Sequence, residues 1–160
     1  MFVMTMKWNK KTALWIVIAA AVLLCGLVLA IAGGGGKDGG KGGGKGDIPS
    51  QSFKTNEDRV SFLESLGWEV EPTPLAEKKV VIPKEFSEVY TAYNKLQLEQ
   101  GFDLSKYKGM EATLYTYAIT NYTGYKGSVV ADLYILGDRL IGGDIHALAL
   151  DGFMHGLSRN

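Results

Sequence analysis

The sequence contains few of the residues from which catalytic centres are usually built. It has one cysteine, Cys25, and two histidines in 160 residues. No serine lies in a Gly-x-Ser-x-Gly motif, and no cysteine follows residue 25 to act as a nucleophile. A single cysteine also excludes an internal disulfide, which small secreted domains in oxidising compartments often use. The absence of a disulfide favours a bacterial envelope protein over an animal extracellular one. None of the motifs in the sequence specifies a reaction.

Charge is balanced over the whole chain but not along it. Residues 1–47 carry six lysines and two aspartates, or +4, whereas residues 48–160 carry eleven basic and fifteen acidic residues, or −4. Binding to a phosphate backbone needs clustered lysine and arginine. The acidic balance of the larger part therefore argues against a nucleic-acid partner.

The longest stretch without a charge is residues 13–32, twenty residues that follow a basic leader at 1–11. A helix of this length spans roughly 30 Å, the thickness of a bilayer core. Residues 12–32 are therefore predicted to form a transmembrane helix. The protein would cross the cell membrane once, with its amino terminus inside the cell and its carboxy-terminal domain outside. The alternative is a signal sequence cleaved after Ala30-Ile31-Ala32, a small-x-small pattern that would give a secreted protein.

Residues 33–47 contain ten glycines among fifteen residues and no apolar side chain. Glycine loses the most backbone entropy on ordering, and nothing in this segment can be buried in return. A flexible tether is predicted here. Residues 48–160 then form one folded domain outside the membrane.

Within that domain the apolar spacing predicts two helices and several strands. The first helix begins at the capping sequence Thr55-Asn56-Glu57-Asp58 and stops at Gly67, and the second covers residues 86–96 and stops at Gly101. Gly137-Asp138 predicts a hairpin turn, and Gly142-Gly143 predicts a bulge or a bend that interrupts the strand. The predicted strands are residues 68–71, 77–82, 110–121, 128–136, 139–141 and 144–150. This order is typical of an α+β fold with two helices packed on one face of a mainly antiparallel sheet.

The amino-acid sequences of several segments resemble those of a known bacterial family. DRVSFLESLGWEV, the segments IPKEF and QGFDLSKYKG, IGGDI and LDGFMHG together resemble the family catalogued as domain of unknown function 4830, over about residues 56–157. The resemblance implies a small exported or membrane-tethered protein of Gram-positive, clostridia-type bacteria. The family has no assigned activity, so it implies no mechanism.

One group of residues has side chains suited to binding a metal ion. It comprises Asp144, His146, Asp151 and His155. Asp144 and His146 share a face if both lie on one strand, and Asp151 and His155 are placed to face each other across a turn. Two imidazoles and a carboxylate suit zinc with an open position. The alternative is that the aspartates form turns and the histidines make local hydrogen bonds.

Tyr122 and Tyr125 lie in the predicted turn YTGYKG. If the loop exposes them, they suit recognition of a glycan or a peptide by stacking; otherwise they are ordinary strand residues.

The function predicted from the whole sequence is that of a non-catalytic binding or interaction module with no cofactor, held at the membrane near an envelope protein or glycan partner. The alternative is a small metal-dependent envelope hydrolase that uses the Asp144/His146/Asp151/His155 group.

Overall fold

The structure, a computed structural model, describes residues 52–159. The predicted leader, membrane segment and tether lie outside the described residues. No helix between residues 52 and 159 is both long enough and apolar enough to cross a bilayer. The elements in chain order are α1 (Asn56–Ser65), β1 (Ala76–Val81), α2 (Glu88–Glu99), a 3₁₀ turn (Leu104–Tyr107), β2 (Glu111–Ile119), β3 (Val129–Leu136), β4 (Arg139–Ala147) and β5 (Met154–His155).

The five strands form one antiparallel sheet in the order β1-β2-β3-β4-β5. The predicted α+β class and the hairpin between β3 and β4 are confirmed, since Leu136 pairs with Arg139 across Gly137-Asp138. The predicted strand at residues 68–71 is reduced to one bridge, between Val70 and Ile119. The chain beyond it turns away at the two prolines of the EPTP segment, because proline has no N–H to donate to a ladder.

Helix α1 begins as its sequence predicts. The Thr55 hydroxyl accepts a hydrogen bond from the Asp58 N–H at 3.1 Å, and the Asp58 carboxylate accepts from the Thr55 N–H at 2.8 Å. This reciprocal pair satisfies two donors that the first helical turn cannot pair internally. The helix ends before Gly67, whose φ of +87° suits glycine.

The two helices pack on opposite faces of the sheet, so the predicted arrangement on one face is wrong. Phe62 and Leu63 of α1 belong to a buried cluster with Tyr117, Leu133 and Ile145. We call this side of the sheet the α1 face. The carboxy-terminal tail also packs on this face, where Leu157 belongs to the cluster and Phe153 packs against it.

Tyr93 of α2 belongs to a second cluster, with Leu114, Tyr134 and Ile141. We call this side the α2 face. Both sides of the sheet are hydrophobic at its centre, where β3 is buried along nearly its whole length. A strand apolar on both faces needs a layer on each side, which a single-sided arrangement would not provide.

Helix α2 is fastened to strand β4 by a buried amide. Gln97 is fully buried, donates to the Gly143 carbonyl at 3.0 Å and accepts from the Gly143 N–H at 2.9 Å. A Cβ built on Gly143 would lie 2.6 Å from a backbone oxygen of β3, so no side chain fits there without a shift. On the side of the sheet that faces α2, a Cβ on Gly142 would lie 3.0 Å from the Gln97 side-chain oxygen and 3.1 Å from the Leu104 side chain, so glycine at position 142 allows the helix and the sheet to approach closely.

The predicted irregularity at Gly142-Gly143 is a bulge one residue earlier. Tyr134 pairs with Gly142, but Ile135 pairs with Leu140, so Ile141 has no partner across the ladder. An extra residue reverses the alternation of side chains beyond it. Leu140 lies on the α1 face and Ile141 on the α2 face, and the residues after the bulge take the opposite sides from those that regular alternation would give.

Candidate functional site

A pocket of about 460 Å³ opens on the α2 face, beside helix α2. Its volume lies within the range of small-molecule sites. Side chains from β1, α2, β3 and β4 line it, and its walls are largely aliphatic. Leu75, Leu148 and Leu150 line the pocket and are 60%, 59% and 73% exposed, so apolar surface extends to the outside.

Two carboxylates lie within this apolar lining. Asp132 of β3 and Asp144 of β4 are directly opposite each other in the ladder, and they are 4% and 1% exposed. The Thr116 hydroxyl donates to Asp132 Oδ1 at 2.5 Å, and the Tyr93 hydroxyl donates to Asp144 Oδ2 at 2.6 Å. Each carboxylate is therefore oriented by one hydroxyl from a neighbouring element.

His146 completes the group two residues beyond Asp144. Its Nδ1 lies 2.9 Å from Asp144 Oδ1, and its side chain is 22% exposed. Residues i and i+2 of a strand lie on the same face, which brings the imidazole beside the carboxylate. The bulge at Ile141 is what turns both of them toward Asp132.

Burial and mutual repulsion shape the proton affinity of the group. Burial raises the pKa of Asp132 to about 7, and the Asp144 carboxylate opposite contributes to the rise. Burial disfavours charge on His146, but its hydrogen bond to Asp144 and the two carboxylates outweigh this, so its pKa is raised. Burial and the nearby Asp144 also raise the pKa of the Tyr93 hydroxyl, which stays a donor.

At neutral pH the carboxyl of Asp132 is therefore close to half protonated, and the raised pKa of His146 favours its charged form beside Asp144. Lys78 lines the same pocket. Within residues 52–159 it forms no ion pair with either aspartate. Chemically, the floor of the pocket can accept hydrogen bonds, exchange a proton or compensate a positive charge, and the walls can bury an apolar body.

The structure brings together only part of the group predicted from sequence. Asp144 and His146 share the α2 face, as their spacing predicted. His155 pairs with Ile145, so its side chain lies on the α1 face. Asp151 is exposed in the turn between β4 and β5. In the part of the chain that is described, the only metal-compatible group of three is Asp132, Asp144 and His146.

Tyr122 and Tyr125 are half-buried rather than displayed on a loop. The Tyr122 ring stacks on Trp68 with centroids 5.7 Å apart, and its hydroxyl lies 3.1 Å from His155 Nε2. Tyr125 meets Phe153 edge to face at 5.3 Å. These rings pack the carboxy-terminal tail against the α1 face, and the flat aromatic surface expected of a stacking site is not formed by these two residues.

Sequence reasoning missed Asp132, although a signal was present. It is the only charged residue in the segment VVADLYIL, and charged residues are rarely buried without a partner. Thr116 and Tyr93 gave no such signal, because both are common in strands and helices. Their roles follow from the register of β2 with β3 and from the docking of α2.

Comparison with known proteins adds the family. Residues 62–145 match the family described as Domain of unknown function (DUF4830). Comparisons with curated proteins and with solved structures gave no significant match. The matched region includes Asp132 and Asp144 and ends one residue before His146. Because the match covers more than half of its 160 residues, the chain belongs to the DUF4830 family.

Proposed function

We propose that this protein is a non-catalytic binding module whose site is the pocket on the α2 face. The observation that carries the proposal is a pocket of about 460 Å³ with aliphatic walls and buried polar groups at its floor. Ligand sites typically combine a largely apolar lining with a few placed polar groups. The ligand class is a small molecule with an apolar body and one end that donates hydrogen bonds or carries positive charge.

The polarity of that end follows from the floor. Asp132, Asp144 and the imidazole of His146 present more acceptors than donors, and both carboxylates are buried. An anionic end would meet two carboxylates at close range in a medium of low dielectric constant, where repulsion is strong. A neutral donor or a cation is accommodated, and a fatty-acid carboxylate is disfavoured.

The sequence supports a location for this module. Residues 12–32 are predicted to anchor the chain and residues 33–47 to tether it, with the domain outside the membrane. A tether of this kind raises the effective concentration of the module toward ligands or partners at the same membrane. Protease added to intact cells is expected to digest the carboxy-terminal domain. Survival of that domain while other surface proteins are cut would contradict the orientation.

Binding is tested with a fluorescent apolar probe on the full chain in a mild detergent. N-phenyl-1-naphthylamine, a neutral aromatic amine, is expected to bind. Oleate, a fatty-acid anion, is expected to compete poorly with this probe. Val89 lines the pocket from α2, so Val89→Trp should fill the space and abolish probe binding. Leu98→Trp makes a matched control, because Leu98 is 53% exposed on the same helix and does not line the pocket.

The comparison of the two variants decides the proposal. Loss of probe binding in Val89→Trp with retention in Leu98→Trp, at equal helical content by circular dichroism, places the probe in the pocket. Equal binding by both variants would mean that the probe dissolves in detergent or binds another surface. In that case the pocket would not be the site.

A further inference from the structure

The floor of the pocket has the geometry of an ion site rather than only of a hydrogen-bonding site. One ligand atom from each of Asp132, Asp144 and His146 lies within 4.8 Å of the other two. Around a zinc ion with bonds of about 2.0–2.2 Å, the ligand atoms of a tetrahedron are roughly 3.5 Å apart. Small side-chain rotations therefore bring the three atoms to coordinating distance.

Each carboxylate has one oxygen held by a hydroxyl, and the other oxygen differs between the two, being unbonded in Asp132 and bonded to His146 in Asp144. Thr116 occupies Oδ1 of Asp132, and Tyr93 occupies Oδ2 of Asp144. The second oxygen of Asp132 accepts no hydrogen bond from residues 52–159, and since no fully buried side-chain oxygen among these residues lacks a partner, this oxygen is accessible at the pocket. Outer hydrogen bonds that orient one oxygen of a carboxylate while the other coordinates are the usual pattern at metal centres.

The hydrogen bond between His146 and Asp144 is a contact in which a metal ion can replace the shared proton. Asp144 Oδ1 and His146 Nδ1 lie 2.9 Å apart and share a hydrogen. No lysine or arginine within the described residues forms an ion pair with Asp132 or Asp144. The His146 imidazole is thus the one group in ion-pair contact with these two buried carboxylates, and a divalent cation at this position would offset more of their desolvation cost than a single imidazolium does.

We propose that Asp132, Asp144 and His146 bind a divalent ion of the zinc class at the floor of the pocket, with an open coordination position facing the pocket. Imidazole and carboxylate ligands in a three-residue set suit Zn²⁺, whereas Ca²⁺ and Mg²⁺ prefer oxygen ligands alone. The inference rests on the proposed function, and with the ion bound the open position would take a lone pair from a neutral polar end of the ligand, such as a hydroxyl or an amine, and would no longer suit a cation. It places the ion on a different set of residues from the Asp144/His146/Asp151/His155 group.

The test is isothermal titration calorimetry on the full chain, prepared without a histidine tag, stripped with EDTA and dialysed. Zn²⁺ is expected to bind once per chain with a dissociation constant in the micromolar range or tighter, and Ca²⁺ is expected not to bind at the same concentration. Asp132→Asn and His146→Gln should each weaken zinc binding at least tenfold. His155→Gln removes the other histidine, on the opposite face, and should leave it unchanged.

A second measurement does not depend on the variants folding. Diethyl pyrocarbonate modifies accessible imidazoles, and mass spectrometry of the wild-type chain reports each histidine separately. Zinc is expected to protect His146 and not His155. Absence of zinc heat with the wild-type chain, zinc binding unaffected by the Asp132 and His146 variants, or equal protection of both histidines would each overturn the inference.

The two proposals fail in different ways. Probe binding without zinc binding would overturn the ion site and leave the pocket as an apolar binding site. Zinc binding without binding of N-phenyl-1-naphthylamine would support the ion site and contradict the proposed apolar ligand. Zinc that changes the affinity of the probe in the wild-type chain, but not in Asp132→Asn, would support both and show that they share one pocket.

Discussion

Replacing Asp132 with asparagine removes a buried charge while almost preserving the shape of the side chain. Burial raises the pKa of Asp132 from an ordinary 3.8 to about 7. Each unit corresponds to about 1.4 kcal/mol, so ionised Asp132 costs the native state on the order of 4 kcal/mol. The side chain is 4% exposed, so little of this cost is screened by solvent.

The direction of the pH dependence follows from which state binds the proton. Between about pH 4 and pH 7, the native chain holds a proton on Asp132 that the unfolded chain has released. The free energy of unfolding therefore falls as pH rises through this window. His146 acts in the same direction, because its raised pKa contributes stability that is complete below its unfolded value and is lost as pH rises through its folded value.

Asp132→Asn isolates the first of these contributions. The asparagine carbonyl can still accept the Thr116 hydroxyl, and the side chain is neutral at every pH. At about pH 5 the unfolded wild type has already lost the proton from Asp132, so the variant should be more stable by only about 1–2 kcal/mol, and at about pH 8 it should be more stable by roughly 4 kcal/mol. The assay is equilibrium urea unfolding of the full chain in a mild detergent with EDTA, followed by far-ultraviolet circular dichroism.

The control is Asp138→Asn, the same substitution at an exposed position of the β3–β4 turn. Burial contributes nothing there, so its effect should be small and equal at both pH values. The reasoning would be refuted if Asp132→Asn were less stable than the wild type at about pH 8, or if the difference between them were the same at both pH values.

Three further substitutions test contacts that hold the site and the carboxy-terminal tail in place. Tyr93→Phe removes the hydroxyl that donates to Asp144 at 2.6 Å, and it should lower the free energy of unfolding by about 1–3 kcal/mol, measured by urea unfolding. Gly143→Ala places a Cβ 2.8 Å from the Leu157 side chain and 2.6 Å from a backbone oxygen, so it should destabilise by at least about 2 kcal/mol; an unchanged unfolding midpoint would contradict the close approach. Trp68→Phe removes the 2.7 Å hydrogen bond to the Leu157 carbonyl, and it should cost about 1 kcal/mol and increase hydrogen exchange in the carboxy-terminal tail.

Much of the fold could be predicted because its signals are local. The capping pair Thr55 and Asp58, and the stop glycines after each helix, act within a few residues. The β3–β4 hairpin depends on the two residues Gly137-Asp138. Such features are written in neighbouring side chains and do not require knowledge of what packs on them.

The sides of the sheet could not be predicted in the same way. Helix α2 presents Asn94 and Gln97 to the interior as well as Tyr93, and these polar residues are satisfied only by the 3₁₀ turn and by the backbone of β4. An apolar stripe shows that a helix packs on something, but it does not say on which face. The placement follows from long-range hydrogen bonds that no helical spacing contains.

The candidate site depends on the least local of these features, the bulge in β4. If the strand continued from Leu140 without a bulge, with Ile141 paired in the ladder, regular alternation would put Asp144 and His146 on the α1 face. They would then lie among the aromatic side chains of that core, and Asp132 would stand alone on the other side. The sequence contains all three ionisable residues, but one unpaired residue decides that they meet in a pocket. The bulge is therefore as much a part of the proposed site as the side chains that line it.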